Sequence, residues 1–220
     1  MLYDEETIRV IASTLRGRYK ERTLRLVCDP VCLSTPEYAP LEDRALGSLI
    51  DEILPLATLV TPNKSEAELI LSHKRKKVKI SSLADMVVAS KELLALGSKA
   101  VLLKGGHITT TLTEVRELLG KHPAIFVYKY GLLDENMNIL QVGLGKDGLT
   151  SQLVVDVLQA SGGPDEEVQT AIFIRPKVES TSTRGAGCTL SAAIVCGLAS
   201  RLTSILSLIF AFPQDLSWFI

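Results

Sequence analysis

From residue 24 to residue 103 the chain alternates short apolar runs with amphipathic helical patterns, and this alternation constrains the fold more than any other feature. Residues 24–28, 57–60 and 99–103 read as buried strands. After the first, Leu46, Leu49, Ile50 and Ile53 share one helical face that Pro55 closes. After the second, Asn63 opens a helix through Glu66, Ala67 and Ile70. A third helix, capped by Ser81 or Ser82, carries Leu83, Met86, Val87, Leu93 and Leu94 and ends at Gly97. Parallel strands cannot be joined by tight turns; they need a crossover, and amphipathic helices supply it. The expected fold is therefore α/β, with a mainly parallel sheet and helices on both faces. An N-terminal helix, capped by Asp4, places Ile8, Ile11, Ala12 and Leu15 on one side.

Beyond residue 109 the pattern weakens. Residues 115–119 read as a short helix and 125–128 as a strand, and Gly143, Gly145 and Gly148 mark a loop. Two further strands, 153–158 and 170–174, are joined through Ser161-Gly162-Gly163-Pro164. Gly185-Ala186-Gly187 then leads into an apolar helix from Cys188 to Leu198.

With 46% hydrophobic and 22% charged residues and a net charge of −1, the chain has no bulk attraction for nucleic acid or membrane. The basic run 73–79 reads as a solvated loop. The four cysteines lack paired zinc-ligand spacing, so Cys28, Cys32 and Cys196 are expected as buried, reduced thiols. The acidic opening Met1-Leu2-Tyr3-Asp4-Glu5-Glu6 lacks a signal-peptide core, which makes a cytoplasmic setting the expectation.

Four strand-end features carry candidate chemistry. Gly185-Ala186-Gly187 before a helix leaves bare amides facing an anion, and the helix dipole favours negative charge there. Cys188 lies in that first turn, where the field is expected to lower its pKa. Asn63 and Glu66, one turn apart, offer hard oxygens to Mg²⁺, or simply form a capping box. Asp29, in Asp29-Pro30-Val31, and Lys104, in Leu103-Lys104-Gly105-Gly106-His107, stand where open α/β sheets bind ligands. Each could equally be a turn or surface residue.

In this order the four motifs resemble the ribokinase-like kinases, and within them the hydroxymethylpyrimidine (phosphate) kinases of thiamine biosynthesis. The cysteine in Gly185-Ala186-Gly187-Cys188-Thr189 separates this branch from sugar kinases, which typically carry aspartate there. The resemblance implies transfer of the γ-phosphate of ATP, with Mg²⁺, to hydroxymethylpyrimidine or its monophosphate. By it Cys188 is the catalytic base, and Asp29, Asn63 and Glu66 hold the metal or its hydration shell. Lys104, Gly105, Gly106, Gly185, Ala186 and Gly187 bind the nucleotide. A small-molecule substrate, no nucleic acid, no membrane and a candidate homodimer complete the expectation.

The same resemblance covers residues 1–200 as a partial kinase domain, with a long insertion between His107 and Leu153. Arg184 replaces a histidine usual in the family. Met1-Leu2-Tyr3 resembles a segment well inside such domains, which implies that the first strand and the substrate-gripping glycine-rich segment are missing. Residues 201–220 form an apolar tail unlike the family. A catalytically inactive remnant and a pyridoxal kinase therefore stand as alternatives.

Overall fold

The computed structural model describes residues 4–19, 25–31, 43–73, 77–106, 108–129, 149–162, 167–178 and 186–199. The insertion glycines, His107, Gly163, Pro164, Arg184, Gly185, Cys32 and the tail 201–220 lie outside them.

The first described element is α1 (Glu5–Tyr19), whose first turn is tied down by Asp4. Its Oδ1 accepts from the Thr7 amide at 2.7 Å. Ile8 and Ala12 are fully buried, as the spacing predicts. Next come β1 (Val27–Cys28) and α2 (Asp43–Ser48). The helix does not stop at Pro55: it widens into a π-helical turn, Leu49–Ile53, then tightens into a 3-10 turn, Leu54–Leu56. Proline is tolerated there because it sits in the first positions of the tightened turn, where its missing N–H has no partner to lose.

Then follow β2 (Leu59–Val60), α3 (Lys64–His73), α4 (Leu83–Leu94) and β3 (Ala100–Leu103). Ser82 and Asp85 form a reciprocal capping box at the start of α4. After β3 come the two-residue β4 (Thr109–Thr110), α5 (Leu112–Lys121) and β5 (Phe126–Lys129). The helix α5 is twice the expected length because Thr111 and Glu114 cap it earlier than the apolar pattern suggests. A long hairpin, β6 (Leu149–Ala160) and β7 (Gln169–Val178), leads to α6 (Ala186–Ala199).

The sheet order is β1-β2-β3-β6-β7-β5, with β4 also beside β6. Parallel pairing joins β1 to β2, β2 to β3 and β5 to β7, whereas β6 pairs antiparallel with β3, β4 and β7. Every described strand except β6 therefore points the same way, so the mainly parallel expectation holds with one reversed strand. Alternate residues feed two cores. Val101, Leu103, Val155, Val157, Ile172 and Ile174 face the larger one, packed against α1 to α5. Ala100, Leu102, Leu158, Ala171 and Phe173 face the second, which Ile194 and Leu198 of α6 cover. Phe173 also stacks on Tyr128, its register partner, with ring centroids 5.2 Å apart.

The break after β3 has a packing cause. A Cβ on Gly105 would stand 1.9 Å from the Val155 carbonyl oxygen of β6, whereas one on Gly106 would meet open space. Backbone cannot swing aside as a side-chain tip can. Gly105→Ala should therefore cost about 3 kcal/mol, the upper end of ordinary overpacking. Gly106→Ala should cost well under about 1 kcal/mol. Urea denaturation midpoints of the two variants check the contrast.

Candidate active site

Because β1, β2 and β3 are parallel neighbours, the residues following each emerge side by side at one sheet edge. Cys28 pairs with Val60, so Asp29 and Thr61 come next as neighbours. Three residues beyond Val60, Asn63 forms a parallel bridge with Lys104. Lys104 N donates to Pro62 O at 2.9 Å, which holds the two strand ends together. The strand β7 ends at this same edge, and α6 starts there and runs back over the second face. Arg25, just before β1, donates to the Leu198 carbonyl at 2.7 Å and so anchors the far end of α6. A cation at a helix C-terminus is favourably placed against the dipole.

Lys104 Nζ lies 2.9 Å from Asp29 Oδ1, and both side chains are largely buried. A Cβ on Gly187 would come within 3.1 Å of the same ammonium. The bare α-carbon of Gly187 thus makes room for Lys104 at the start of α6. One residue on, the Cys188 thiol is exposed and lies within reach of the Asp29 charge. Its pKa is raised, by partial burial first and then by the Asp29 charge, with Lys104 opposing. The expectation of a lowered pKa is corrected: desolvation, and after it the nearby Asp29 carboxylate, outweigh the helix field.

Glu66 is 3% exposed. Asn63 and Glu66 form the capping box: Asn63 N donates to Glu66 Oε2 at 2.7 Å, and Glu66 N to Asn63 Oδ1 at 2.9 Å. Burial pushes the Glu66 carboxyl up to about 7, although the Asn63 amide and the Lys104 charge pull it down. Asp29, Glu66, Lys104 and Cys188 thus act on one another electrostatically at one edge of the sheet. Cys28 lies beneath them as a buried structural thiol, pushed up to about 12 by desolvation, then by Asp29 and Glu66. Cys196 is exposed rather than buried, because it falls on the outer side of α6.

The donor set suits Mg²⁺ in one particular way. Among the described residues no group of three or more His, Cys, Asp or Glu could cage a metal. Mg²⁺, however, usually keeps several waters and takes one or two carboxylates plus substrate phosphates. Asp29 and Glu66 meet that need, and the box uses only Oε2 of Glu66. The amide oxygen of Asn63 is engaged in the cap, so its part is to hold Glu66 in place.

Of the nucleotide residues inferred from sequence, Lys104 and Gly187 meet at the site. Gly185 lies outside the described residues, and of Ala186 only the backbone, the first residue of α6, is described. Gly106 is exposed, but Gly105 packs against β6 and its amide donates to Asp156 Oδ1 at 2.8 Å. Asp156 in turn lies 3.7 Å from Arg175. Sequence reading gave no role to Thr61, Ser191 or Asp156. Thr61 could have been suspected from its place just before Pro62-Asn63, and Ser191 from its spacing one turn beyond Gly187.

A model of the family described as phosphomethylpyrimidine kinase matches residues 1–138. The chain belongs to the phosphomethylpyrimidine kinase family. A hydroxymethylpyrimidine/phosphomethylpyrimidine kinase of Mycobacterium leprae is 29% identical over 204 residues, covering 92% of this chain and 55% of that protein. The likeness to this family member continues past residue 138 toward the α6 region. In three dimensions, a phosphomethylpyrimidine kinase from Clostridium difficile superposes with a TM-score of 0.55 at 26% identity, covering 95% of this chain and 62% of the other. An ADP complex of Bacillus subtilis pyridoxal kinase reaches 0.60 at 24% identity, covering 96% and 59%, which shows a shared fold. The chain spans about half the length of the M. leprae family member, and 38% of the Mycobacterium tuberculosis one. Among the described residues no helix is long and apolar enough to cross a membrane.

Proposed function

We propose that this chain transfers the γ-phosphate of ATP to hydroxymethylpyrimidine or its monophosphate, as a kinase of thiamine biosynthesis. The observation that carries this reading is the convergence of Asp29, Glu66, Lys104 and Cys188 at the C-terminal edge of parallel strands, in a member of this family. In this reading residues 1–200 belong to the kinase domain and 201–220 are set apart from it as an apolar tail.

Each role follows from position. The ammonium of Lys104 offsets polyphosphate charge, and the bare amides at the start of α6 face the transferring group. Asp29 and Glu66 would hold Mg²⁺, with Asn63 fixing Glu66; the ion neutralises phosphate charge when bound. The acceptor oxygen attacks the γ-phosphorus, the bond to the β–γ bridging oxygen breaks, and ADP leaves. Cys188 takes the acceptor's proton as the thiolate, and the thiol's own proton leaves beforehand to solvent, to which the side chain is exposed. A cation against Asp29 removes the main charge that keeps the proton on Cys188.

Steady-state ADP release by the purified chain tests the reading. With Mg²⁺ present, hydroxymethylpyrimidine or its monophosphate should support turnover well above that seen with pyridoxal. Turnover with pyridoxal alone would move the chain to the other acceptor class. Absence of turnover with any acceptor by folded protein would refute the proposal.

A further inference from the structure

Two buried hydroxyls that the mechanism does not use sit directly behind the reacting groups. Thr61 is fully buried at the end of β2, and Ser191 is 6% exposed on the inner side of α6. Their oxygens are 2.9 Å apart. On one side Thr61 Oγ1 lies 3.2 Å from Asp29 Oδ1, the same oxygen that Lys104 holds. On the other, Ser191 Oγ lies 3.0 Å from the carbonyl of Gly187. A continuous chain therefore links the Asp29 carboxylate, through two side chains from different elements, to the first turn of α6.

Counting protons shows which way this chain points. Three oxygen–oxygen contacts share two hydroxyl protons, so all three cannot be satisfied together. The Gly187 carbonyl already accepts the helical amide of Ser191, one turn later. A carboxylate attracts an O–H more strongly than a peptide carbonyl does. The favoured arrangement has Ser191 donating to Thr61, and Thr61 donating to Asp29. In it, α6 and the sheet edge are locked to each other through Asp29.

We infer that Thr61 and Ser191 are positioning residues, which fix Asp29 and dock the start of α6 so that Cys188, Gly187 and Lys104 stay in register. The inference rests on the kinase reading for its effect on rate, but the geometry it claims can be read without turnover. Losing the Thr61 hydroxyl leaves Asp29 Oδ1 to Lys104 alone and lets the carboxylate turn away from the Cys188 thiol. Losing the Ser191 hydroxyl cuts the same chain one link earlier.

The test compares wild type, Thr61→Val, Thr61→Ser and Ser191→Ala. Turnover is measured in each. Iodoacetamide labelling of Cys188 is followed by peptide mass, with Cys196 on the same helix as internal reference. Thr61→Val and Ser191→Ala should lower kcat about 10- to 100-fold, as a small misplacement of reacting groups does, with acceptor KM changed less than about threefold. In both, Cys188 should label faster relative to Cys196, by roughly threefold or more. Thr61→Ser, which restores the hydroxyl, should behave as wild type in both respects. If wild type turns over no acceptor, the kinase reading fails, and the labelling ratios still decide the positioning claim. Equal labelling ratios in all four proteins would overturn it, as would a Thr61→Ser variant as impaired as Thr61→Val. Should Thr61→Val not fold, Ser191→Ala against wild type carries the same comparison.

Discussion

Replacing Cys188 with alanine is expected to reduce phosphoryl transfer about 10²- to 10⁴-fold, the range over which a positioned acid–base group contributes. Folding should hardly change. The side chain is exposed, so its loss opens no cavity, and substitutions of that kind usually stay within about 0.5 kcal/mol. The expected signature is a collapse of kcat at an unchanged urea midpoint. Cys188→Ser separates the proton role from the volume. A hydroxyl keeps the shape but is a far weaker acid than a thiol, so serine should not restore the rate. If either variant keeps wild-type kcat, Cys188 is not the base.

Glu66→Gln should raise stability while also removing activity. Burial pushes the carboxyl up to about 7 in the folded protein, from an ordinary value of 4.5. Between those values the folded chain binds more protons than the unfolded one, so stability falls as pH rises. The contribution is full below about pH 4.5, declines through the interval, and is lost above about pH 7. A shift of that size corresponds to roughly 3 kcal/mol. Glutamine cannot ionise, yet its carbonyl can still accept the Asn63 amide and keep the capping box. In metal-free buffer the variant should therefore be more stable than wild type above pH 7 by about 1–3 kcal/mol, and should lack the decline between pH 4.5 and 7. Denaturation midpoints across that range measure it. Stability gained with turnover lost would mark Glu66 as retained for function. A wild-type profile that rises with pH over the same interval would show that Glu66 is not buried as described.

Much of the frame was readable from residue pattern alone. The apolar runs around Cys28, Val60 and Leu103 lie inside parallel strands, whose side chains are buried on both faces, so they stand out without alternation. Asp29 and Lys104 stand out because each follows such a run directly, and Asn63 because it opens the next helix three residues beyond one; parallel strands bring their ends to one edge. The length of β6 was not readable. Its first half mixes polar and apolar residues, since it is held by pairing with β4 and β7 rather than by burial of every residue. The π-helical turn at Leu49–Ile53 left no mark, because the same apolar face serves either helix.

At the site, the missing information was long-range. The helix field at Cys188 is a local property and suggested a lowered pKa. Partial burial, and then Asp29, brought in just after β1, raise it instead. Gly105 suggested close approach of a nucleotide, whereas the Val155 carbonyl of β6 already occupies that side. Thr61 and Ser191 are ordinary residues until the fold sets their oxygens 2.9 Å apart. No local spacing could pair them.

Protection of Cys188 by nucleotide examines the site itself, whichever acceptor it serves. Iodoacetamide labelling of Cys188 and Cys196 is timed with and without millimolar ATP and Mg²⁺. If phosphates lodge beside Lys104 at the start of α6, Cys188 should slow about tenfold, as access to the thiol is blocked, while Cys196 keeps its rate. Unaltered labelling of Cys188 under nucleotide would mean that no phosphate binds there, and the kinase account would be wrong.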